Sequence, residues 1–367
     1  MIFVNNFLKS LKKSKIKFFT GVPDSVLKNF SSYLQSLPKK NHLIATNEGS
    51  AVSIGIGYYL ATKKMACVYM QNSGLSNAIN PLISIADKKV YSIPLMLVIG
   101  WRGSPKIKDE PQHMAKGKIT RQLLKLLKIK YCILRKDRDL LKINKMVKQA
   151  LKSKSIIALL IERNTLKSNS LKKKNKKNSG LLRSEFISAF LKNIPQKTKI
   201  VSTTGYTSRE LMQIRNDMKI KSGRDFYMVG GMGHSSSVTL GLANFSKKKL
   251  FCLDGDGSIL MHLGSLRTIG HLKNNNLKHV MFNNSSHESV GGQPTYADTI
   301  DFKDLVISLG YKKYFVIKNK NHLKTVLKKF IKSPGPSFLE VKIVNGSLNY
   351  LQRPKNLVKI KDHFIKN

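Results

Sequence analysis

Residues 251–295 read FCLDGDGSILMHLGSLRTIGHLKNNNLKHVMFNNSSHESVGGQPT and contain the pattern that decides the fold. An apolar run over 250–253 predicts a buried strand, which stops at the turn Gly255-Asp256-Gly257-Ser258. An amphipathic helix pattern then continues to Leu272, and a second short apolar strand is predicted over 279–282. Strand, glycine turn, helix and strand together predict a βαβ unit whose two strands are parallel neighbours.

Two side chains with oxygen donors follow these strands, Asp256 in the turn and Asn284 after the second strand. They are expected at the same carboxyl edge of the sheet, where ligands bind in such folds. Carboxylate and amide oxygens suit a magnesium ion that keeps other positions for phosphate oxygens and water. Gly255 and Gly257 allow close approach of the backbone to an anion, and the helix start at Ser258 offers free N–H groups. The pattern therefore predicts a magnesium–diphosphate pocket.

The alternative interpretation is a tight turn with an unrelated asparagine pair on a solvated loop. A Gly-Asp-Gly turn alone is weak evidence, but 25 residues with a βαβ pattern separate Gly257 from Asn283, which favours the cofactor interpretation. A calcium loop starting at Asp254 is excluded because the later ligand positions are apolar.

This arrangement resembles the cofactor motif of thiamine-diphosphate-dependent enzymes. The resemblance implies that Mg²⁺ is bound by the Asp256 and Asn284 side chains and by the backbone carbonyl of Ser286. It implies contacts to the cofactor from Gly255, Asp256, Gly257, Ser258 and Asn284.

Glu48, in the segment ATNEGSAVSIGIGYYLAT, is a further candidate site residue. The aminopyrimidine of thiamine diphosphate needs a carboxylic acid in an apolar environment to protonate its N1′ atom. The Asn-Glu-Gly segment resembles the one that carries this acid in the family, which implies a catalytic and cofactor-binding role for Glu48. Without the resemblance, an acid in the first turn of a helix usually compensates the helix dipole.

Residues 226–237, FYMVGGMGHSSS, end a predicted strand in a glycine-rich turn. The resemblance implies that the Gly230 carbonyl accepts a hydrogen bond from the 4′-amino group and that Met232 supports the bent cofactor. Without it, Met232 is a core residue and the glycines form a turn. The dinucleotide-binding pattern GxGxxG is not satisfied, because Ser236 stands at its last position.

Other segments narrow the resemblance to the phosphonopyruvate decarboxylase family, of which sulfopyruvate decarboxylases are close relatives. They are GVPDS (21–25), YMQNSGLSNAINPL (69–82), GWRGSPKIKDEPQH (100–113) and SVGGQPT (289–295). This family implies decarboxylation of 3-phosphonopyruvate to phosphonoacetaldehyde and CO₂ in phosphonate biosynthesis, by a homodimer with active sites between subunits. Departures from the family pattern are Ser76, Ser104, Gly231 and Ser285-Ser286.

The loop 100–113 offers groups suited to a small anionic 2-oxo acid. Arg102, Lys106 and Lys108 are expected to bind a phosphonate or sulfonate through charge-assisted hydrogen bonds. His113 is expected to donate or shuttle a proton, and Asp24 to position water or a proton at the reacting carbon. Each is alternatively an exposed loop residue, and Asp24 alternatively caps a helix that starts near residue 25.

Helix and strand patterns alternate along the rest of the chain, which predicts an α/β fold with two doubly wound, mostly parallel-sheet domains. The expected domains are a pyrimidine-binding domain over 1–165 and a diphosphate- and Mg-binding domain over 181–367. The segment 166–180, LKSNSLKKKNKKNSG, is predicted to be an exposed basic linker.

The 66 Lys and Arg residues against 20 acids give a formal charge of +46. This charge suggests a lysine-rich nucleic-acid-binding protein as an alternative from a different class. It is spread along the whole chain and includes only 11 arginines, which argues against nucleic acid as a partner.

Cys67, Cys132 and Cys252 lie in predicted strands without paired spacing and are expected to be reduced core residues. The sequence shows no transmembrane run, and the apolar stretch at the N-terminus is too short for a signal peptide. A cytoplasmic protein without a membrane partner is therefore expected.

Overall fold

The computed structural model describes residues 1–105, 107–168, 179–220 and 224–367. They form two compact units. The first contains the described residues of Met1–Lys174 together with Val290–Gln293, and the second those of Asn175–Ser289 and Pro294–Asn367.

The first unit is built on a six-stranded sheet in the order β3-β2-β4-β5-β7-β6, with every pair parallel. A two-stranded parallel pair, β1-β8, accompanies it. The strands are β1 (Ile2–Phe3), β2 (Phe19–Gly21), β3 (His42–Ile44), β4 (Ala66–Gln71), β5 (Leu95–Trp101), β6 (Lys130–Leu134), β7 (Ile157–Glu162) and β8 (Leu166–Lys167). The helices are α1 (Val4–Lys13), α2 (Lys28–Leu34), α3 (Glu48–Thr62), α4 (Leu75–Pro81), α5 (Pro111–Leu126) and α6 (Leu141–Ser153).

The second unit repeats this architecture with a parallel sheet in the order β10-β9-β11-β12-β14-β13. Its strands are β9 (Lys199–Ser202), β10 (Asp225–Tyr227), β11 (Leu250–Gly255), β12 (Leu277–Asn283), β13 (Lys313–Ile317) and β14 (Ser337–Lys342). Its helices are α7 (Arg183–Asn193), α8 (Tyr206–Asp217), α9 (Ser235–Asn244), α10 (Asp256–Met261), α11 (Ser265–Leu272), α12 (Phe302–Ser308), α13 (Leu323–Lys332) and α14 (Leu357–Lys366).

Both sheets are covered on both faces, as the strand residues show. Along β5, Met96 and Val98 pack into one hydrophobic cluster, whereas Leu95 and Leu97 pack into another on the opposite face. In the second unit, the side chains of β12 are likewise divided between two clusters. Successive side chains of a strand point to opposite faces, so each sheet lies between two apolar layers. The predicted fold class, two doubly wound parallel-sheet domains, is confirmed.

Helix α5 begins at Pro111, which occupies the first helical position after the extended Glu110, so residues 111–113 of the predicted substrate loop are helical. Two local predictions need correction. The single helix predicted through Leu272 is two helices, because the backbone leaves the helical region at His262. The predicted linker 166–180 begins with a strand, since Leu166 is buried and β8 pairs with β1. Residues 169–178 of that segment lie outside the described residues.

Across the described ranges, the helices include none long and apolar enough to cross a membrane.

Candidate active site

The predicted βαβ unit of the second sheet places Asp256 and Asn284 at one edge. Strands β11 and β12 are parallel neighbours in which Gly255 is opposite Phe282, so Asp256 and the asparagine pair follow the same end of the sheet. The backbone N–H groups of Ser285 and Ser286 contact the Asp256 carboxylate. The structure therefore brings together the three predicted metal ligands, Asp256, Asn284 and Ser286.

Asp256 is buried, with 4% of its surface exposed. Its Oδ1 accepts a hydrogen bond from the Gly257 N–H (2.7 Å), and its Oδ2 accepts one from the Thr295 hydroxyl (3.0 Å). Burial raises the pKa of this carboxyl to about 6, against the lowering effect of these hydrogen bonds. Within the described ranges, no Lys or Arg forms an ion pair with Asp256. A buried carboxylate that only neutral donors contact fits the binding of a metal cation.

Each residue of the asparagine pair is held by a different glutamate. Nδ2 of Asn283 donates to Oε1 of Glu340 (2.6 Å). Nδ2 of Asn284 donates to Glu288 Oε2 (3.3 Å) and to Asn345 Oδ1 (2.8 Å). The Asn284 oxygen accepts a hydrogen bond from the Ser286 N–H (3.1 Å). An amide oxygen has two lone pairs, so Asn284 retains the capacity to bind a cation.

The two glycine-rich turns of this unit are tightly packed. Gly231 and Gly233 have φ angles of +68° and +88°, in the region that favours glycine, and they flank Met232. The Gly233 N–H donates to the Ser258 hydroxyl (3.1 Å), which also pairs with the Thr203 hydroxyl (3.0 Å). Ser258 thus links the turn that contains Gly230 and Met232 to the Gly-Asp-Gly turn.

Position 257 requires a glycine, because neighbouring side chains approach its backbone closely. A Cβ atom at this position would lie 2.8 Å from Cε1 of His287 and 3.1 Å from Cγ2 of Thr295. Gly255, in contrast, has open space where a Cβ would stand. The close approach at Gly257 is made by the loop after the asparagine pair, so this glycine keeps the two halves of the motif in contact.

Glu48, in the first unit, is the first residue of α3 and is 6% exposed. Asn47 caps this helix by accepting the Ser50 N–H (2.8 Å). Oε2 of Glu48 accepts a hydrogen bond from Nδ2 of Asn77 (2.9 Å), and its side chain lies against Gly74. The carboxyl is therefore buried and oriented, as its predicted role requires.

Arg102 does not present a free cation. The guanidinium forms a bidentate ion pair with Asp109, Nε to Oδ2 at 2.6 Å and the second nitrogen to Oδ1 at 2.5 Å. Both side chains are buried, with 8% and 2% exposed. The hydrogen bonds from Arg102 hold the pKa of Asp109 below its usual value against the effect of burial. Asp109 therefore already neutralises the charge of Arg102, and the binding of substrate by Arg102 stays a prediction.

The other residues of the predicted substrate loop differ in how far they are exposed to solvent. Lys108 is exposed, and Lys106 lies outside the described residues. His113 lies in the first turn of α5, and Nδ1 of its imidazole is buried without a hydrogen-bond partner among the described residues. Burial lowers the pKa of His113 to about 4, and the nearby Arg102 charge contributes to the shift. His113 is consequently neutral near pH 7 and acts there only as a neutral donor or acceptor.

Asp24 is 1% exposed, and its Oδ2 accepts the N–H groups of Val26 (3.0 Å) and Leu27 (3.1 Å). Its Oδ1 accepts a hydrogen bond from Nε2 of Gln71 (2.5 Å). Burial raises the pKa of Asp24, whereas these hydrogen bonds and the Arg102 charge lower it. The carboxyl thus stabilises the turn before α2. The capping alternative needs correction, because α2 begins at Lys28 and its N-cap is Leu27, which makes no side-chain cap. The role of Asp24 toward substrate stays a prediction.

Sequence reasoning missed several partners of these residues. Asp109 follows Arg102 by seven residues, a spacing that is compatible with an ion pair but does not predict one. Thr295 lies 11 residues after Asn284, and no sequence pattern marks Glu288. Their partners are distant in sequence or depend on loop conformation, so only the fold reveals the contacts.

Three potential metal ligands also lie together in the core of the second unit. The donor atoms of Cys252, Asp254 and His279 are within 4.8 Å of one another, and all three side chains are buried. The Asp254 Oδ2 lies 3.5 Å from His279 Nε2, and His279 Nδ1 bonds the Tyr311 hydroxyl (2.9 Å). The carboxylate and the imidazole already face each other inside the sheet, which is consistent with a structural role.

The geometry agrees with the comparison to known proteins. Residues 1–124 match the family described as "Thiamine pyrophosphate enzyme, N-terminal TPP binding domain". Residues 203–341 match "Thiamine pyrophosphate enzyme, C-terminal TPP binding domain". Both halves of the chain are therefore thiamine-pyrophosphate-enzyme domains.

Relatives that align over nearly the whole chain indicate a narrower family than the two domain matches do. The phosphonopyruvate decarboxylase of Streptomyces hygroscopicus is 31% identical, over 97% of this chain and 91% of the relative. That of Streptomyces viridochromogenes is 32% identical, over 91% of this chain and 87% of the relative. The sulfopyruvate decarboxylase of Methanosarcina acetivorans is 27% identical, over 93% of this chain and 91% of the relative. The chain belongs to the phosphonopyruvate decarboxylase family of thiamine-pyrophosphate enzymes. It is a 2-oxo-acid decarboxylase, which is a carbon–carbon lyase.

Proposed function

We propose that this decarboxylase converts 3-phosphonopyruvate to phosphonoacetaldehyde and CO₂, with thiamine diphosphate and Mg²⁺. The observation that carries the proposal is the full-length similarity, 31% and 32% identity, to two phosphonopyruvate decarboxylases. In the reaction, the bond between the carboxylate and the keto carbon breaks, and a proton takes the place of CO₂ on that carbon. The product aldehyde keeps the phosphonate group.

The residues at the edge of the second sheet fit a magnesium–diphosphate group. Asp256 and Asn284 would supply side-chain oxygens and Ser286 its carbonyl, a set of hard oxygen donors that suits Mg²⁺. Ser258 and the glycines beside Asp256 would surround the diphosphate. The structural observation that supports this assignment is the buried Asp256 carboxylate, which has neutral donors but no Lys or Arg partner in the described part of the chain.

Thiamine diphosphate, when bound, would supply the electron sink that decarboxylation of a 2-oxo acid requires. Glu48 would hold the proton that the N1′ atom of the aminopyrimidine needs, and Asn77 fixes its carboxyl group. The Gly230 carbonyl would accept a hydrogen bond from the 4′-amino group, and the Met232 side chain would pack against the cofactor and support it. Asp24 would position the proton, or the water that carries it, at the reacting carbon, and His113 would donate or shuttle this proton.

The phosphonate would be bound through charge-assisted hydrogen bonds. Asp109 pairs with Arg102, whereas Lys108 is exposed. We therefore propose that Lys108 binds the phosphonate dianion of the substrate. Lys106 belongs to the same loop and keeps its predicted role. The excess of Lys and Arg over acids, 66 to 20, would attract the anionic substrate by its long-range field.

By family analogy we propose a cytoplasmic homodimer in which the pyrimidine-binding domain of one subunit faces the diphosphate-binding domain of the other. The enzyme would function in phosphonate biosynthesis by consuming phosphonopyruvate irreversibly. Sulfopyruvate decarboxylation is the second candidate, supported by the similarity to the sulfopyruvate decarboxylase of Methanosarcina acetivorans.

The experiment that separates these substrates measures kcat/KM for CO₂ release from phosphonopyruvate, sulfopyruvate and pyruvate under identical cofactor loading. The proposal predicts the highest kcat/KM for phosphonopyruvate. A preference for sulfopyruvate would keep the reaction class and move the substrate assignment to the second candidate.

A further inference from the structure

We propose that Glu288 is a positioning residue that fixes the Asn284 amide with its oxygen toward the bound cation. This inference rests on the proposed magnesium site, in which Asn284 is a ligand. It concerns a residue that makes no direct contact with the cation and that the sequence motif does not single out.

The Asn284 amide has two N–H donors, and both possible partners lie on the same side of the group. Glu288 Oε2 is 3.3 Å and Asn345 Oδ1 is 2.8 Å from its Nδ2. An ionised carboxylate only accepts hydrogen bonds, so it favours the amide orientation in which Nδ2 faces it. The rotated orientation would place the Asn284 oxygen against the Glu288 carboxylate and would turn Nδ2 toward the cation, which it cannot bind.

Glu288 is suited to this task because it is itself held in place. Its Oε2 accepts a charge-assisted hydrogen bond from Arg183 (2.6 Å), and its other oxygen accepts the Gly346 N–H. Arg183 is buried and is anchored on its other side by the fully buried Glu210, at 3.2 Å. Glu210 in turn accepts the Leu348 N–H (2.9 Å). A rigid chain of ionic contacts thus leads from α8 through α7 to the amide of Asn284.

Asn345 alone does not determine the orientation. Its side chain is an amide, which offers an oxygen or a nitrogen depending on its own rotation. Asn345 is exposed, whereas the Glu288 side chain is 15% exposed and paired with a buried arginine. On the Nδ2 side of the amide, the carboxylate is therefore the group that distinguishes the two orientations, and the Ser286 N–H, which donates to the Asn284 oxygen (3.1 Å), favours the same one.

The neighbouring asparagine shows that this assignment is specific to Asn284. Asn283 has its own acidic partner, Glu340, which is 3% exposed and also bonds the Tyr314 hydroxyl (2.5 Å). That pair lies within strands β12 and β14 and anchors the end of the sheet. Glu288, in contrast, lies in the loop after the motif and reaches back to the proposed ligand.

The test measures Mg²⁺ binding to the whole protein by isothermal titration calorimetry at saturating thiamine diphosphate, together with thermal unfolding. Glu288→Ala is expected to weaken Mg²⁺ binding by about 10-fold or more, the usual effect of losing a group that orients a metal ligand. Glu288→Gln, which keeps one acceptor oxygen, should lie between Ala and wild type. Asp362→Asn is the control, because it removes a carboxylate that pairs with Lys361 on α14 and belongs to no contact of this ionic chain, and it should leave the Kd for Mg²⁺ unchanged.

The decisive comparison uses Asn284→Asp, because a carboxylate presents oxygen on both sides and needs no orienting partner. In this background, adding Glu288→Ala should not weaken Mg²⁺ binding, and it should relieve the repulsion between the two carboxylates. A Kd that rises equally in both backgrounds, or that stays unchanged on Glu288→Ala in the Asn284 protein, would overturn the inference.

The same binding measurement on Asp256→Ala distinguishes a failure of the proposed magnesium site from a failure of the inference about Glu288. If Asp256→Ala binds Mg²⁺ and thiamine diphosphate as wild type does, the magnesium site itself is wrong. If Asp256→Ala abolishes binding and Glu288→Ala has no effect, the site stands and only the role of Glu288 is rejected.

Discussion

Arg102 and Asp109 form a buried bidentate ion pair, with nitrogen–oxygen distances of 2.6 and 2.5 Å. The pair fixes the loop between β5 and α5, because Asp109 also accepts the Gly103 N–H (3.0 Å). The remaining guanidinium nitrogen contacts the Ser25 hydroxyl at 3.3 Å. The loop conformation, and through it the placement of Lys108 and His113, therefore depends on this pair.

Asp109→Asn should lower the free energy of unfolding by about 3–5 kcal/mol, because removing one partner leaves a buried charge uncompensated. Arg102→Met should have a similar effect, since it leaves the Asp109 carboxylate buried without its cation. The double substitution Arg102→Met/Asp109→Asn should cost less than the sum of the two single ones. Urea unfolding of the four proteins measures this coupling, and additive losses would show that the two residues do not depend on each other.

Gly74→Ala should abolish decarboxylation, because a methyl group at position 74 would displace the side chain of Glu48, the proposed catalytic acid. A Cβ atom at position 74 would lie 2.1 Å from Oε1 and 2.3 Å from Cδ of Glu48. The Glu48 side chain would have to leave its position and its hydrogen bond with Asn77. The initial rate of CO₂ release at saturating cofactor measures the loss.

Gly57→Ala is the matched control for that substitution, because Gly57 lies on the same helix as Glu48 and is exposed. A Cβ atom there would meet nothing within 4 Å. Alanine should stabilise the helix by about 0.5–1 kcal/mol and leave the rate unchanged. Wild-type activity of Gly74→Ala would show that the observed position of Glu48 is not needed for catalysis.

His113 makes a pH-dependent contribution to stability. Its folded pKa is about 4, below the usual 6.5, so between these values the unfolded chain binds more protons than the folded one. The contribution is fully present above pH 6.5 and is lost as the pH falls toward 4. The groups that shift this pKa by their charge are Arg102, Asp109, Lys116 and Arg163.

The urea concentration at half unfolding, measured at pH 7 and pH 5, tests whether His113 lowers the stability as the pH falls. His113→Gln should reduce the fall in stability between the two pH values, whereas His322→Gln, at an exposed position, should reproduce the wild-type fall. An unchanged pH dependence in His113→Gln would contradict a lowered pKa. An NMR titration of the His113 imidazole gives the pKa directly.

The βαβ unit around Asp256 was predictable because the signals there are local. The apolar runs of β11 and β12 alternate with an amphipathic pattern, and the glycine turn marks the boundary between them. The start of α3 also depends on a local signal, because Asn47 caps the first turn by accepting the Ser50 N–H. The parallel pairing of β11 with β12 follows from the length of the connection and was confirmed.

Other parts of the fold depend on contacts that a linear pattern does not show. The N-terminal pair of β1 with β8 joins residues 2–3 to residues 166–167. Helix α1 was missed because its lysine-rich sequence buries only Val4, Phe7 and Leu11. The Arg183 chain to Glu210 and Glu288 joins three segments that are far apart in sequence. Each needs the tertiary fold before the partners can be recognised.

The most direct test of the central claim measures CO₂ release from phosphonopyruvate by cofactor-free protein to which thiamine diphosphate and Mg²⁺ are added singly or together. Phosphonoacetaldehyde is followed by ³¹P NMR, and wild type is compared with Asp256→Asn. The account predicts turnover only when both cofactors are present, and none in Asp256→Asn at the same Mg²⁺ concentration. Turnover without the cofactors, or full activity of Asp256→Asn, would contradict it.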